Sequence, residues 1–183
     1  MVSKVRRCIF DLVLFLCLIG IDRITKKWAV LRLAGKDGIT LIPKVLELYY
    51  LPNGNTGAAF GILSGHRVLF LMIALIVVLA IVYLLWNMPD PSRYKIIEIL
   101  LVFIAAGGTG NMIDRFISGS VVDFIYISCI NFPIFNVADM YVSICTVILA
   151  LVVLFRLSED DYNTLEAAFA APFAKHSGKN KKQ

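Results

Sequence analysis

Two aspartates, Asp123 and Asp139, stand in the stretch SGSVVDFIYISCINFPIFNVADMYVS, where one long apolar segment has ended and another is about to begin. A charge at mid-bilayer costs roughly 2.5 to 3.5 kcal/mol even on the lenient insertion scale, so carboxylates kept at the edges of apolar segments are candidates for chemistry. If two ionised carboxylates came within about 4 Å at an effective dielectric near 20, they would repel by roughly 4 kcal/mol, about three pKa units. Such a pair shares one proton. One member can then act as base toward water while the other acts as acid toward a carbonyl. Asp139 also has a purely structural account: Asn136 can cap the following helix with Asp139 at its third position, close to a capping box. Asp123 has a weaker one, because its neighbours Val121, Val122, Phe124 and Ile125 are apolar and the nearest cation in the sequence is Arg115.

The elements that must position these residues are membrane spans. Of 183 residues, 59% are apolar and 17% charged, and mean hydropathy is +0.80. A soluble domain has about 25% charged residues. A hydrocarbon core about 30 Å thick needs around 20 helical residues, and four segments approach that length: Cys8 to Trp28, Val68 to Trp86, Ile96 to Ile113 with some continuation, and Val137 to Phe155. The fold class expected is therefore an all-α membrane protein with four transmembrane helices. The first outer loop, about 39–63, reads differently, with β-branched and aromatic residues followed by Asn53-Gly54, a strong hairpin signal. A small extracytoplasmic β-sheet after helix one is expected there, at or above the headgroups, because unpaired backbone is not tolerated against lipid. Residues 1–158 form one membrane domain, and residues 159–183 a cytoplasmic tail. In that tail Ser158 and Asp161 would cap a helix that Pro172 limits, the alternative being a disordered tail.

Basic residues at the N-terminus, at Arg93 and Lys95 and from Lys175 to Lys182 place both termini in the cytoplasm, against a smaller cationic group from Lys26 to Lys44 on the other side. The first apolar run follows Lys4, Arg6 and Arg7 like a signal peptide but ends in GIDRITKKW without a small-residue cleavage site, so a retained anchor is expected. The pI of about 9.1 fits topology and anionic lipid, and no nucleic-acid partner is expected because no basic run alternates with aromatics. The four cysteines have no paired spacing, and His66 and His176 lie far apart, so neither disulfides nor a metal site is expected.

Four spans bring the loops after the first and third to the same face. Asp22, Lys26, Asn55, Asn111, Asp114, Arg115, Asn136 and Asp139 therefore gather at one membrane surface. Asn111 and Asp114 share a helical face, with an ion pair to an arginine as the structural alternative for Asp114. The AAGGTG run with Ala106 and Gly110 fits close helix packing. A proton-coupled carrier would also place acids at span ends, but no internal repeat is present and the acids cluster at one surface instead of the midplane.

Five blocks, DRITK, NTGAAFG, GNMIDR, GSVVDF and FPIFNVAD, occur in one order across roughly residues 10 to 157. In these the chain resembles the lipoprotein signal peptidase (signal peptidase II) family of membrane aspartyl peptidases. The resemblance implies a catalytic pair of Asp123 and Asp139, substrate-binding positions at Asn55, Gly57, Asn111, Arg115 and Asn136, and supporting roles for Asp22, Lys26 and Asp114. It implies cleavage of diacylglyceryl-modified prolipoproteins on the N-terminal side of the lipidated cysteine, at the outer face of the bacterial inner membrane. No metal or organic cofactor is implied, and the partners are the prolipoprotein and membrane lipid, with the enzyme a monomer. Ala106 departs from the glycine frequent in the family, and the tail beyond Ser158 has no counterpart.

Overall fold

The computed structural model describes residues 2–52, 54–55, 67–89 and 92–177. Among the described residues there are five α-helices: α1 Val2–Leu33, α2 Arg67–Asn87, α3 Lys95–Ser118, α4 Val137–Arg156 and α5 Glu159–Ser177. Three of them, α2, α3 and α4, are long and apolar enough to cross a membrane. The first extends well beyond the predicted Cys8 to Trp28, to 32 residues, and it is much more polar, with Asp11, Asp22, Arg23 and Lys26 among its charges. At 1.5 Å per residue it is about 48 Å long, more than a hydrocarbon core requires.

The bundle is organised around α3, against which α1, α2 and α4 all pack. Its sequence explains why: eleven of its residues are buried, whereas α2 buries Ile81 alone and presents apolar side chains all round, as a lipid-facing helix does. Gly107 and Gly110 permit the closeness. A Cβ on Gly107 would stand 2.5 Å from the Ala138 carbonyl oxygen of α4, and one on Gly110 would stand 2.5 Å from Asp22 Oδ2 of α1. The small-residue run therefore serves packing, with Gly107 and Gly110 making the contacts.

A three-stranded antiparallel sheet in the order β1-β2-β3 sits at one end of the bundle, built from β1 Ile39–Ile42, β2 Leu46–Leu48 and β3 Ile125–Ile127. Two expectations are corrected here. The hairpin turn lies between Ile42 and Leu46, closed by the Val45 amide on the Ile42 carbonyl at 3.0 Å with Lys44 at φ 59°, and not at Asn53-Gly54. Asn53 is outside the described residues, and Gly54, at φ 66°, closes a separate turn onto Leu51. Nor does the sheet come only from the loop after α1, because its third strand is donated by the α3–α4 connection. Ala29 and Leu33 of α1 pack with Phe124 beneath this sheet, so its apolar face is anchored on the helix that precedes it.

At the other end, α5 folds back. Asp161 accepts from the Ser158 amide and hydroxyl at 3.0 and 2.8 Å, the expected cap, and also pairs with Arg93 and accepts from Tyr94 Oη at 2.8 Å. Arg93 and the Ser158 donors hold the Asp161 carboxyl well below the usual carboxylate range. Pro172 lies inside the helix instead of limiting it. A proline removes one backbone donor, which kinks a helix but does not always end it. The Phe169 carbonyl, three residues earlier, accepts from Tyr83 Oη of α2 at 2.5 Å.

Candidate active site

Backbone pairing places Asp123. Residues 121–127 run between two neighbours: on one side Tyr49 and Leu51 donate to the Phe124 and Asp123 carbonyls and Asn55 exchanges two bonds with Val121, and on the other Phe135 pairs with Ile125. The first contact sets Asn55 across from Asp123. The second delivers Asn136 and the start of α4 to the same place.

Asn136 is fully buried and joins the two acids. Its side-chain amide donates to Asp123 Oδ1 at 2.6 Å and its backbone amide donates to Asp139 Oδ2 at 3.1 Å, while its Oδ1 accepts from the Asp139 amide at 3.0 Å. The capping box is therefore present, and the residue that completes it also faces Asp123 across Asn136. The second oxygen of each acid is held by another amide: Asn55 Nδ2 donates to Asp123 Oδ2 at 2.9 Å, and Asn111 Nδ2 to Asp139 Oδ1 at 2.7 Å. Burial, and then the charge of Asp139, push the Asp123 carboxyl up to about 6 against the opposing pull of the Asn55 and Asn136 donors.

Behind the amides lies a closed ionic cluster. Asn111 Oδ1 accepts from Lys26 Nζ at 2.9 Å, which fixes which end of that amide faces Asp139. Lys26 in turn pairs with Asp22 at 3.0 Å and Asp114 at 2.8 Å, and Arg23 pairs with Asp114. Lys26, Asp22 and Asp114 are buried. Asn111 and Asp114 do share a face, and Lys26 is what they share it with; the expected pairing of Asp114 with an arginine is also present.

In front of the acids is a cavity of about 540 Å³. Asn55, Arg115, Asp123 and Asp139 form its polar wall, and Phe132, Pro133, Ile134, Phe135, Met140 and Ile144 supply much of the apolar remainder. Arg115 stacks over the Phe70 ring at 5.0 Å while facing the charges of Asp139, Asp123 and Asp114. Of the residues expected at the site, all but Gly57 converge here, and Gly57 lies outside the described residues. What the sequence did not single out is the apolar wall: the run INFPIF could have been noticed as a lipophilic segment too short to span a membrane. A carboxyl pair held by neutral amides at the mouth of a mostly apolar cavity can activate water beside a hydrophobic substrate.

The profile of the signal peptidase (SPase) II family matches residues 14–155. The lipoprotein signal peptidase of Streptococcus pneumoniae is 38% identical over 78% of this chain and 90% of its own length, and that of Clostridium tetani 37% identical over 83% and 95%. A bacterial membrane enzyme solved by the in meso method at 1.9 Å superposes with a TM-score of 0.69 at 32% identity, covering 81% of this chain and 94% of the other. On profile, sequence and fold together, the chain belongs to the signal peptidase II family, the proteases that process bacterial lipoproteins.

Proposed function

We propose that this protein is an aspartyl endopeptidase that removes the signal peptide from diacylglyceryl-modified prolipoproteins, cutting on the N-terminal side of the lipidated cysteine. The observation that carries the reading is the joint hold of Asn136 on Asp123 and Asp139 at the edge of a largely apolar cavity. Asp139 takes a proton from a water molecule as the water oxygen bonds to the scissile carbonyl carbon. Asp123 gives its proton to the carbonyl oxygen. When the tetrahedral intermediate collapses, the C–N bond breaks, the leaving amine takes the proton held by Asp139, and the new carboxyl returns one to Asp123. The assignment of the shared proton to Asp123 is supported by its elevated titration near 6.

In this reading α1 is a fourth span, residues 1–158 are the peptidase domain and 159–183 an appended cytoplasmic tail. Both termini face the cytoplasm, and the sheet and cavity lie at the outer face of the inner membrane. Asn55, Asn111 and Asn136 orient the acids, while Arg115, with its donors on the cavity wall, holds substrate backbone or lipid headgroup. Asp22, Lys26 and Asp114 support them from behind. The substrate enters sideways from the bilayer, its acyl chains against Phe132 to Phe135 and Ile144. The test is to incubate the purified protein with a lipidated prolipoprotein beside an unlipidated control. Cleavage of the first alone is expected, and equal cleavage of both, or of neither, contradicts the reading.

A further inference from the structure

Away from the peptidase cavity, with which it shares no lining residue, a groove of about 260 Å³ runs between α1 and α2, each of which packs on α3. Val102 and Ala105 floor it, Phe15 and Leu12 form one wall, and Val78 and Val82 the other. Nearly all of its surface is apolar, and Val82 and Leu12 are exposed along it. One end is closed by a different chemistry. Arg7 reaches from α1 to the last turn of α2, donating to the Leu85 carbonyl at 2.8 Å and the Met88 carbonyl at 3.1 Å, and among the described residues its buried Nε has no hydrogen-bond partner. Trp86 lines this end of the groove, and Lys4 Nζ rests 4.5 Å over its ring. Asp11 also lines it, near the fully buried Glu98, whose Oε1 accepts from Lys95 Nζ at 2.9 Å. At this end Lys4 and Arg7 stand against Asp11, while Lys95 is paired with Glu98.

An apolar trough that ends at Lys4, Arg7 and an interfacial tryptophan has the two chemistries of a phospholipid in the right order. We infer that the α1–α2 groove holds one acyl chain of an anionic phospholipid, with its phosphate against Lys4 and the Arg7 end of the groove. Charge complementarity selects the headgroup. A substrate signal helix would bring its own basic start to a basic rim, and a second copy of this chain would bring Lys4 against Lys4. The inference rests on the membrane placement proposed above, and through it the enzyme would carry a structural lipid in a groove that shares no lining residue with its cavity.

Trp86 reports occupancy directly. In a Trp28→Phe background Trp86 is the remaining tryptophan, so the protein is reconstituted in vesicles doped with phosphatidylglycerol or phosphatidylcholine brominated at a shallow acyl position. Half-maximal quenching is expected at about fivefold less brominated phosphatidylglycerol than phosphatidylcholine, the selectivity of roughly one well-placed cation. Lys4→Gln should reduce that ratio to near one, and Val82→Phe, by filling the groove, should weaken quenching by both lipids. The ratio of the two lipids cancels any direct effect of Lys4 on Trp86 emission. Equal quenching by both in the parent overturns the inference, as does a tryptophan that neither lipid reaches or a Val82→Phe protein quenched like the parent. Both lipids occupy both leaflets, so the result does not depend on sidedness. Prolipoprotein cleavage measured on the same vesicles separates failure of this inference from failure of the peptidase reading.

Discussion

Two groups of acids lie within one bundle end, and they are held in opposite ways. Asp22 and Asp114 are matched by cations, Lys26 and Arg23, in a cluster whose charges balance. Asp123 and Asp139 are held by amides: Asn55, Asn111 and both the side chain and backbone of Asn136. A cation within ion-pair distance favours the ionised acid strongly, whereas a neutral amide orients a carboxyl and favours its ionised form more weakly. The first arrangement is suited to holding helices α1 and α3 together, the second to moving a proton. Asn111 joins them, since Lys26 orients the amide that orients Asp139.

The most severe way to break the contrast is to neutralise each side in turn. Asp123→Asn and Asp139→Asn should each lower prolipoprotein cleavage by about 10⁴-fold or more, with substrate still bound, as measured by single-turnover cleavage and by co-purification of lipidated substrate. Neither should unfold the protein. Asp123→Asn should raise the thermal midpoint at pH 8, because a carboxyl that titrates near 6 when folded and near 4 when unfolded binds its proton more tightly in the folded state, so its ionisation costs stability above both values. Lys26→Met should behave in the reverse manner. It leaves Asp22 and Asp114 buried without their shared cation and should cost about 3 to 5 kcal/mol in denaturant unfolding.

Milder changes sharpen the comparison. Asn55→Ala removes one donor from Asp123 and should slow cleavage by about 10- to 100-fold, the worth of a hydrogen bond to a charged group. The kcat/KM profile of the parent should show an inflection near pH 6, and in Asn55→Ala that inflection should move upward, because the lost bond had favoured the ionised form. The smallest effect belongs to the other end of the molecule. Asp161→Asn releases α5 from Arg93 and Tyr94 and should leave cleavage unchanged, with a thermal shift smaller than that of Lys26→Met.

Much of this was legible before any coordinates. The limits of α2, α3 and α4 follow apolar runs that stop abruptly at polar residues, and the Asn136–Asp139 cap is written in four consecutive positions. The sheet was legible only in part. Apart from Asp123, Val121 to Ile127 is apolar, and an apolar run without alternation does not tell a strand from a buried loop, so β3 carries no clear sequence signal. Asn53-Gly54 carries the hairpin signal because that pair tolerates positive φ, whereas the β1–β2 hairpin turns at Lys44, whose left-handed backbone carries no sequence signal. The groove-end acids Asp11 and Glu98 were also missed, since their proximity depends on how α1 lies on α3. At the site, residue types and topology were enough to gather the acids and amides on one surface. Which amide holds which oxygen required the ladder from Asn55 to Val121 and the return of the chain at Phe135.

Coupling between Asp123 and Asp139 can be read directly by following the carboxyl carbons of ¹³C-labelled aspartate by NMR across pH, in the parent and in Asp139→Asn. Asp123 should titrate near 6 in the parent and at a clearly lower pH in the variant, because the neighbouring negative charge that raised it has been removed. An Asp123 midpoint unchanged by the substitution would mean that the two carboxyls do not sense one another, and the shared-proton chemistry would have no basis.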